Sequence, residues 1–280
     1  MDLIDTHLHL IRREVTGHGW TREVPTLAGA DFSLDDARRL YGGRVRGSIF
    51  MEVDADDFQA ESRWIAGLIR SGDLLGQIAN CRPEQDAGFE AWLDVCAELG
   101  VVGLRRILHT VPDDVSTTEA FRANVRRIGQ RGLPFDMNFL GRTLPTAYDL
   151  AASCPDMVFV LDHCGTPDIA GGDMDPWRAG ITRLASLPHV NVKLSGITAY
   201  TAPGDWDLST LRPWIDHVVD AFGPARMVWG SDWPVVNLGS GLPSWLDITD
   251  RVLGEFSPDE QAMIGWRNAE RIYKVNTGLT

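Results

Sequence analysis

The chain has 280 residues, 44% of them hydrophobic and 23% charged, with a net charge of -13. This is ordinary globular composition, and the length allows a large buried core. The acidic balance disfavours nucleic acid and anionic membrane surfaces as partners, and no stretch approaches the roughly 18 apolar residues of a membrane span.

The first element is "LIDTHLHL". Apolar and polar side chains alternate, which is the period of a strand. Residues two apart share a face, so His7 and His9 project together, with Asp5 expected behind them on that face. Further short apolar runs follow: "RVRGSIFMEV", "DLLGQIANC", "VVGLRRILH", "GLPFDMNFL", "DMVFVLDHCG", "HVNVKLSG" and "ARMVWGSDWP". Between them lie helical patterns such as "DDFQAESRWIAGLIRSG", "GFEAWLDVCAELG" and "TTEAFRANVRRIGQRG", several ending at glycine. The stretch "SPDEQAMIGWRNAERIYKVN" reads as a closing helix, with Ser257 as N-cap and Pro258 at its first position.

Strands alternating with helices imply parallel pairing, and eight such units predict an α/β fold of the (β/α)8 TIM-barrel type in a single domain, residues 1–280. An open doubly wound sheet is the alternative, but no glycine-rich phosphate loop follows a strand; "GSGLPS" is too loose for one.

In such barrels the chemistry collects at the carboxyl ends of the strands. These ends carry His7 and His9, Glu52 and Asp54, Asn80, Arg105 or Arg106, Asn138, Asp162 and His163, Lys193 and Ser195, and Ser231, Asp232 and Trp233. Neighbours on a strand point oppositely, so only one of Arg105 and Arg106 faces the axis. Burying so many polar groups is costly unless a site uses or pairs them. His109 stands close enough to reach the site mouth. His18, His189 and His217 are read as surface or structural. The loops after the first and seventh strands offer Arg12, Arg13, Trp20, Arg22, Tyr200 and Trp206 as ligand contacts. The cysteines, Cys81, Cys96, Cys154 and Cys164, have no CxxC spacing, and four reduced thiols are expected. The chain does not open on a basic region followed by an apolar stretch, so a cytoplasmic location is expected.

"DTHLH", "GLRRIL", "LDHCGTP", "VKLSG", "WGSDWPV" and "NAERIY" together resemble the amidohydrolase superfamily across nearly the whole chain. More narrowly, they resemble its amidohydrolase-related (type 2) lactonase branch, which includes fuconolactonase and 2-pyrone-4,6-dicarboxylate lactonase. The resemblance implies a hydrolase opening the lactone of a sugar acid or polyacid. Asp232 would be the general base, and His7, His9 and His163 would polarise the carbonyl. Arg105, Glu52, Asn80, Asn138 and Trp233 would bind substrate. His7, His9 and Asp232 would hold one divalent metal such as zinc where one is used; some members of the branch work without it. A zinc-dependent decarboxylase of the same superfamily is the alternative, and a barrel that only binds a sugar acid is a third reading. A small-molecule lactone is the expected partner, with neither nucleic acid nor membrane.

Overall fold

The computed structural model describes residues 1–279. Eight parallel strands form one sheet in chain order: β1 (Leu3–Leu8), β2 (Val45–Met51), β3 (Gly76–Asn80), β4 (Val101–Ile107), β5 (Phe135–Asn138), β6 (Phe159–Leu161), β7 (Val190–Leu194) and β8 (Met227–Trp229). Helices separate them, as in Phe58–Arg70, Phe89–Glu98, Glu119–Gln130 and Leu208–Phe222, giving the (β/α)8 barrel. Each predicted strand falls within its apolar run. No helix among the described residues is long and apolar enough to cross a membrane.

Strand alternation sorts the side chains. Phe50, Leu104, Phe135, Phe159, Val192 and Trp229 point outward into the layer between sheet and helices. Ile4, Ile49, Met51, Ile78, Val160 and Val228 fill the barrel axis, closed below by Ala269, Ile272 and Tyr273 of the last helix. Each of the buried Ile, Val and Met side chains contributes about 1.5–3 kcal/mol. Two residues further along the axial parity, Ile78 gives way to Asn80 and Val160 to Asp162, while β5 is polar at both levels, with Asp136 and Asn138. The apolar floor therefore turns into a polar ceiling at the carboxyl ends.

Two expectations are corrected. Asp5 does not lie behind His7 on one face. The β1–β2 register slips between Asp5 and Leu8, so one extra residue sits in β1 and reverses its parity. Asp5 turns toward the helix layer and accepts from Tyr41 Oη at 2.7 Å, while its other oxygen accepts the backbone N–H of His7 and of Ser231. The closing helix is also not uniform. The Ser257 cap and Pro258 start are present, with Glu260 completing a capping box, but a π-helical turn occupies Met263–Arg267. Gly265 there packs on the Asp2 carbonyl, where a β-carbon would lie 2.5 Å from the oxygen.

The seam between β1 and β8 is held differently from the other seven pairings. One bridge, Leu8 to Trp233, joins the two ends, with Asp232 N–H donating to His7 O at 2.9 Å and His9 N–H to Trp233 O at 2.8 Å.

Candidate active site

The seam brings the first and last strands' polar residues together. Nε2 of His9 lies 3.3 Å from Asp232 Oδ1, and Nε2 of His7 lies 3.7 Å from it. Nδ1 of His163 stands 4.0 Å from Oδ2. The His7 ring packs against both other imidazoles, with centroids 4.9 Å from His9 and 4.4 Å from His163. Asp232 is buried, and neither carboxylate oxygen has a hydrogen-bond partner. The carboxylate borders a cavity, from which a polar group can reach it.

Partners fix the state of each histidine. His9 Nδ1 lies 2.9 Å from Met51 O, which can only accept, so Nδ1 carries a proton and Nε2 is left facing Asp232. His7 Nε2 lies 3.1 Å from Arg105 Nη1, which can only donate. The His7 proton therefore sits on Nδ1, facing Asp162 Oδ1 at 3.4 Å. Burial holds the His7 pKa well below its usual value, in keeping with a neutral ring. Burial lowers His163 as well, and its Nδ1 pairs with Ser195 Oγ at 3.0 Å.

Beneath these rings lies an ionic network in which Lys193, Asp136, Asp162 and Tyr273 join the expected substrate contacts Arg105 and Glu52. Lys193 Nζ is 2.6 Å from Asp136, 3.1 Å from Asp162 and 3.2 Å from Thr6 O. Tyr273 Oη donates to Asp136 at 2.9 Å. Arg105 Nη1 is 3.4 Å from Asp162, its Nε donates to Glu52 at 2.7 Å, and its Nη2 to the Glu52 carbonyl. Burial pushes Asp136 up to about 6 despite Lys193. On Asp162 burial also acts upward, but Lys193, His7 and Arg105 outweigh it and hold the group well below the carboxylate range. Glu52 is likewise held low, because Arg105 and Asn80 overcome its burial.

Above this floor lies a cavity of about 290 Å³. Its walls include Trp20, Val53, Asp54, Ile107, His109, Thr110, Asn138, Tyr200, Val235 and Leu238, and its base His9, Arg105, His163 and Asp232. Arg105 is the arginine that faces the axis, and Arg106 pairs outward with Glu84 at 2.7 Å. Asn138 lies on the wall and pairs with His109 at 2.8 Å. The expected contacts Glu52, Asn80 and Trp233 are placed elsewhere. Glu52 is fully buried and spent on Arg105, and Asn80 donates to Glu52 at 2.7 Å. Trp233 packs edge-on against Phe32, because the left-handed backbone of Asp232 (φ 55°) turns the next residue away from the cavity. Trp206 packs on the outer core, whereas Trp20 reaches the wall and donates to Val53 O at 2.9 Å.

Two backbone features hold the cluster. His163 and Asp232 both adopt positive φ, a sparsely populated region that side chains other than glycine enter at a cost of about 1–3 kcal/mol. Gly196, at φ +62°, sits beside both: a β-carbon there would overlap His163 Nδ1 and come within 2.8 Å of Asp232 Oδ2. Gly196→Ala is expected to lower turnover by on the order of a hundredfold by displacing these side chains, with circular dichroism unchanged. Turnover at the parent rate would remove Gly196 from the site's support.

The Trp20 loop rests on a buried pair, His18 and Glu61, whose nearest atoms are 3.7 Å apart. Burial, and then the Glu52 charge, push Glu61 well above its ordinary value. A carboxyl raised in the folded state favours folding below its unfolded value and loses that contribution as pH rises through the folded one. Glu61→Gln is therefore expected to melt with the parent below pH 4.5 and above it at higher pH, the gap opening by up to about 1.4 kcal/mol per pH unit. A gap of opposite sign in thermal melts would contradict this.

Residues 4–275 match the sequence profile of the Amidohydrolase family. The chain belongs to that family. This amidohydrolase is 26% identical to an L-fucono-1,5-lactonase of Burkholderia multivorans, over 97% of the present chain and 96% of the relative. It is 32% identical to an L-fucono-1,5-lactonase of Burkholderia ambifaria over 62% of the chain, spanning 61% of that relative's length. A crystal structure of an amidohydrolase from Burkholderia multivorans with bound zinc superposes with a TM-score of 0.89 at 23% identity, covering 99% of this chain and 100% of that one. That likeness shows the shared fold.

Proposed function

We propose that this amidohydrolase opens a lactone ring by hydrolysis, with Asp232 as general base. The observation that carries the reading is the Asp232 carboxylate, buried and without a hydrogen-bond partner, facing Nε2 of His9 at the cavity floor. Its lactonase relatives support the same reaction class.

With His9 neutral, two acceptors so close suit one water, which gives one proton toward Asp232 and the other toward His9. As the water oxygen bonds to the lactone carbonyl carbon, its proton passes to Asp232. Negative charge develops on the carbonyl oxygen. Nδ1 of His163 lies 3.0 Å from Ser195 Oγ; with the hydroxyl as donor there, the imidazole proton would stand on Nε2 to meet that oxygen, with the Arg105 charge alongside. The bond from carbon to ring oxygen then breaks, and Asp232 returns the proton to the leaving alkoxide. The product is the open hydroxy acid. His7 acts as a positioning residue between Arg105 and Asp162.

His7, His9 and Asp232 form a group that could hold a divalent ion. With His9 neutral, the lone pairs of His9 and Asp232 are free, but that of His7 is taken by Arg105 at 3.1 Å, so the full set fits an ion only once Arg105 lets go. Bound there, the ion would supply Lewis acidity toward the carbonyl. The guanidinium already brings positive charge to the same position. Turnover of a lactone panel, followed by proton release, is therefore expected to survive exhaustive chelation. Loss on chelation with recovery on added zinc would overturn the metal-free form of the mechanism. A protein that opens no lactone but decarboxylates an aromatic acid with zinc would replace it.

A further inference from the structure

The cavity wall owes Trp20 to a residue that stands outside the cavity. Arg13 is one of the ligand contacts expected from the sequence, yet it does not line the cavity. It begins the single helical turn Arg13–Thr16 after β1, and its guanidinium points into its own loop. Nε donates to Ala30 O at 2.9 Å, Nη1 to Thr21 Oγ1 at 2.7 Å and Nη2 to Leu27 O at 2.5 Å. The Arg13 backbone N–H donates to Asp31 Oδ1 at 3.0 Å. Three donors of one rigid planar fork thus reach three points of the same loop. Thr21 follows Trp20 in the short turn Gly19–Glu23, and Leu27 and Ala30 lie on the returning limb. Arg13 therefore joins the outgoing limb to the returning one through the turn that carries the indole.

Other bonds seat the loop once it is folded. At its base Ile11 and Phe32 exchange two backbone hydrogen bonds, at 3.0 and 2.9 Å. At its tip Asp56, after β2, accepts the Gly19 N–H at 3.1 Å, and Asp57 N–H donates to Thr16 O at 3.1 Å. Trp20 Nε1 donates to Val53 O at 2.9 Å beside the cavity. Between base and tip, the Arg13 fork spans the two limbs. A surface loop that loses such cross-links opens locally at small cost.

We propose that Arg13 is a positioning residue, which presets Trp20 as a wall of the cavity so that substrate binding, and not the chemical step, depends on it. The kinetic half of the test rests on the lactone reading. Arg13→Met keeps the stem and removes the fork. On the lactone that the parent opens best, Arg13→Met and Trp20→Ala should each raise KM about tenfold and leave kcat within about twofold, because a preformed wall holds ground state and transition state alike. The double variant should have a KM no higher than the worse single variant, since both remove the same contact. The second readout needs no substrate. Trypsin cleavage of the folded chain after Arg22, followed by mass spectrometry, should run at least about tenfold faster in Arg13→Met than in the parent. Thr21→Val is isosteric and removes one anchor together with the Thr21 bond to His18 O, and it should move both readouts the same way by about threefold. It decides the question if Arg13→Met does not fold. An unchanged KM, single effects that multiply in the double variant, or parent-like cleavage overturns the assignment and leaves lactone hydrolysis standing. A parent that opens no lactone refutes the hydrolase reading, and cleavage after Arg22 then decides whether Arg13 holds the loop.

Discussion

Asp232→Asn is expected to lower lactone turnover by roughly a thousandfold, the scale of losing a positioned general base. The amide cannot take a proton from water, and it cannot return one to the ring oxygen. The fold should not suffer. The Asp232 backbone N–H still donates to His7 O, and no protein hydrogen bond to the carboxylate is lost. Removing a buried charge without a partner should leave the melting temperature equal or higher, as is common where function keeps a destabilising group in place. Progress curves and thermal melts on the same preparation separate the two effects. Parent-like turnover would show that another group activates the water.

Lys193→Met is expected to cost about 3–5 kcal/mol, the range for breaking a fully buried ion pair by removing one partner. Both Asp136, at 2.6 Å, and Asp162, at 3.1 Å, lose their shared cation, and both are fully buried. Arg105 still faces Asp162, so the damage falls mainly on Asp136. In thermal unfolding the loss should appear as a drop on the order of 10 °C. Adding Asp136→Asn to Lys193→Met should restore most of it, since the amide oxygen still accepts from Tyr273 and no charge is stranded. A single variant as stable as the parent, or a double variant no better than the single, would show that the network is not a stabilising pair.

The barrel and the meeting of His7, His9, His163 and Asp232 were legible because period two and strand-end position are local signals. Asp162 and Lys193 were visible as charges within apolar runs, yet their link could not be read. It depends on which strands neighbour one another and how deep each side chain sits. Asp136 had a usable signal: it shares parity with Asn138 on β5, so it had to point toward the axis and find a cation there. The slip that turns Asp5 outward falls where the alternation itself lapses, in the three consecutive polar residues Asp5, Thr6 and His7. Glu52 and Asn80 were correctly placed at strand ends. In the structure Glu52 is engaged by Arg105 and Asn80 by Glu52, and no spacing in the sequence shows which partner wins. Trp233 left the cavity through one left-handed residue, a backbone choice that aspartate makes only occasionally.

The sparse seam between β1 and β8 ties chemistry to the order of folding. The bond from Ser231 to Asp5 spans 226 positions, and closing so long a loop costs on the order of 5 kcal/mol in chain entropy before any contact repays it. The other seven strand pairs join neighbours in sequence and can assemble as the chain lengthens. The proposed base follows the last strand and the two paired histidines belong to the first, so the cluster is complete only when the ring shuts. A chain still growing toward β8, or one cut before it, holds the histidines without the carboxylate. Catalytic competence is thus a property of the finished circle, and turnover reports that every strand has reached its place.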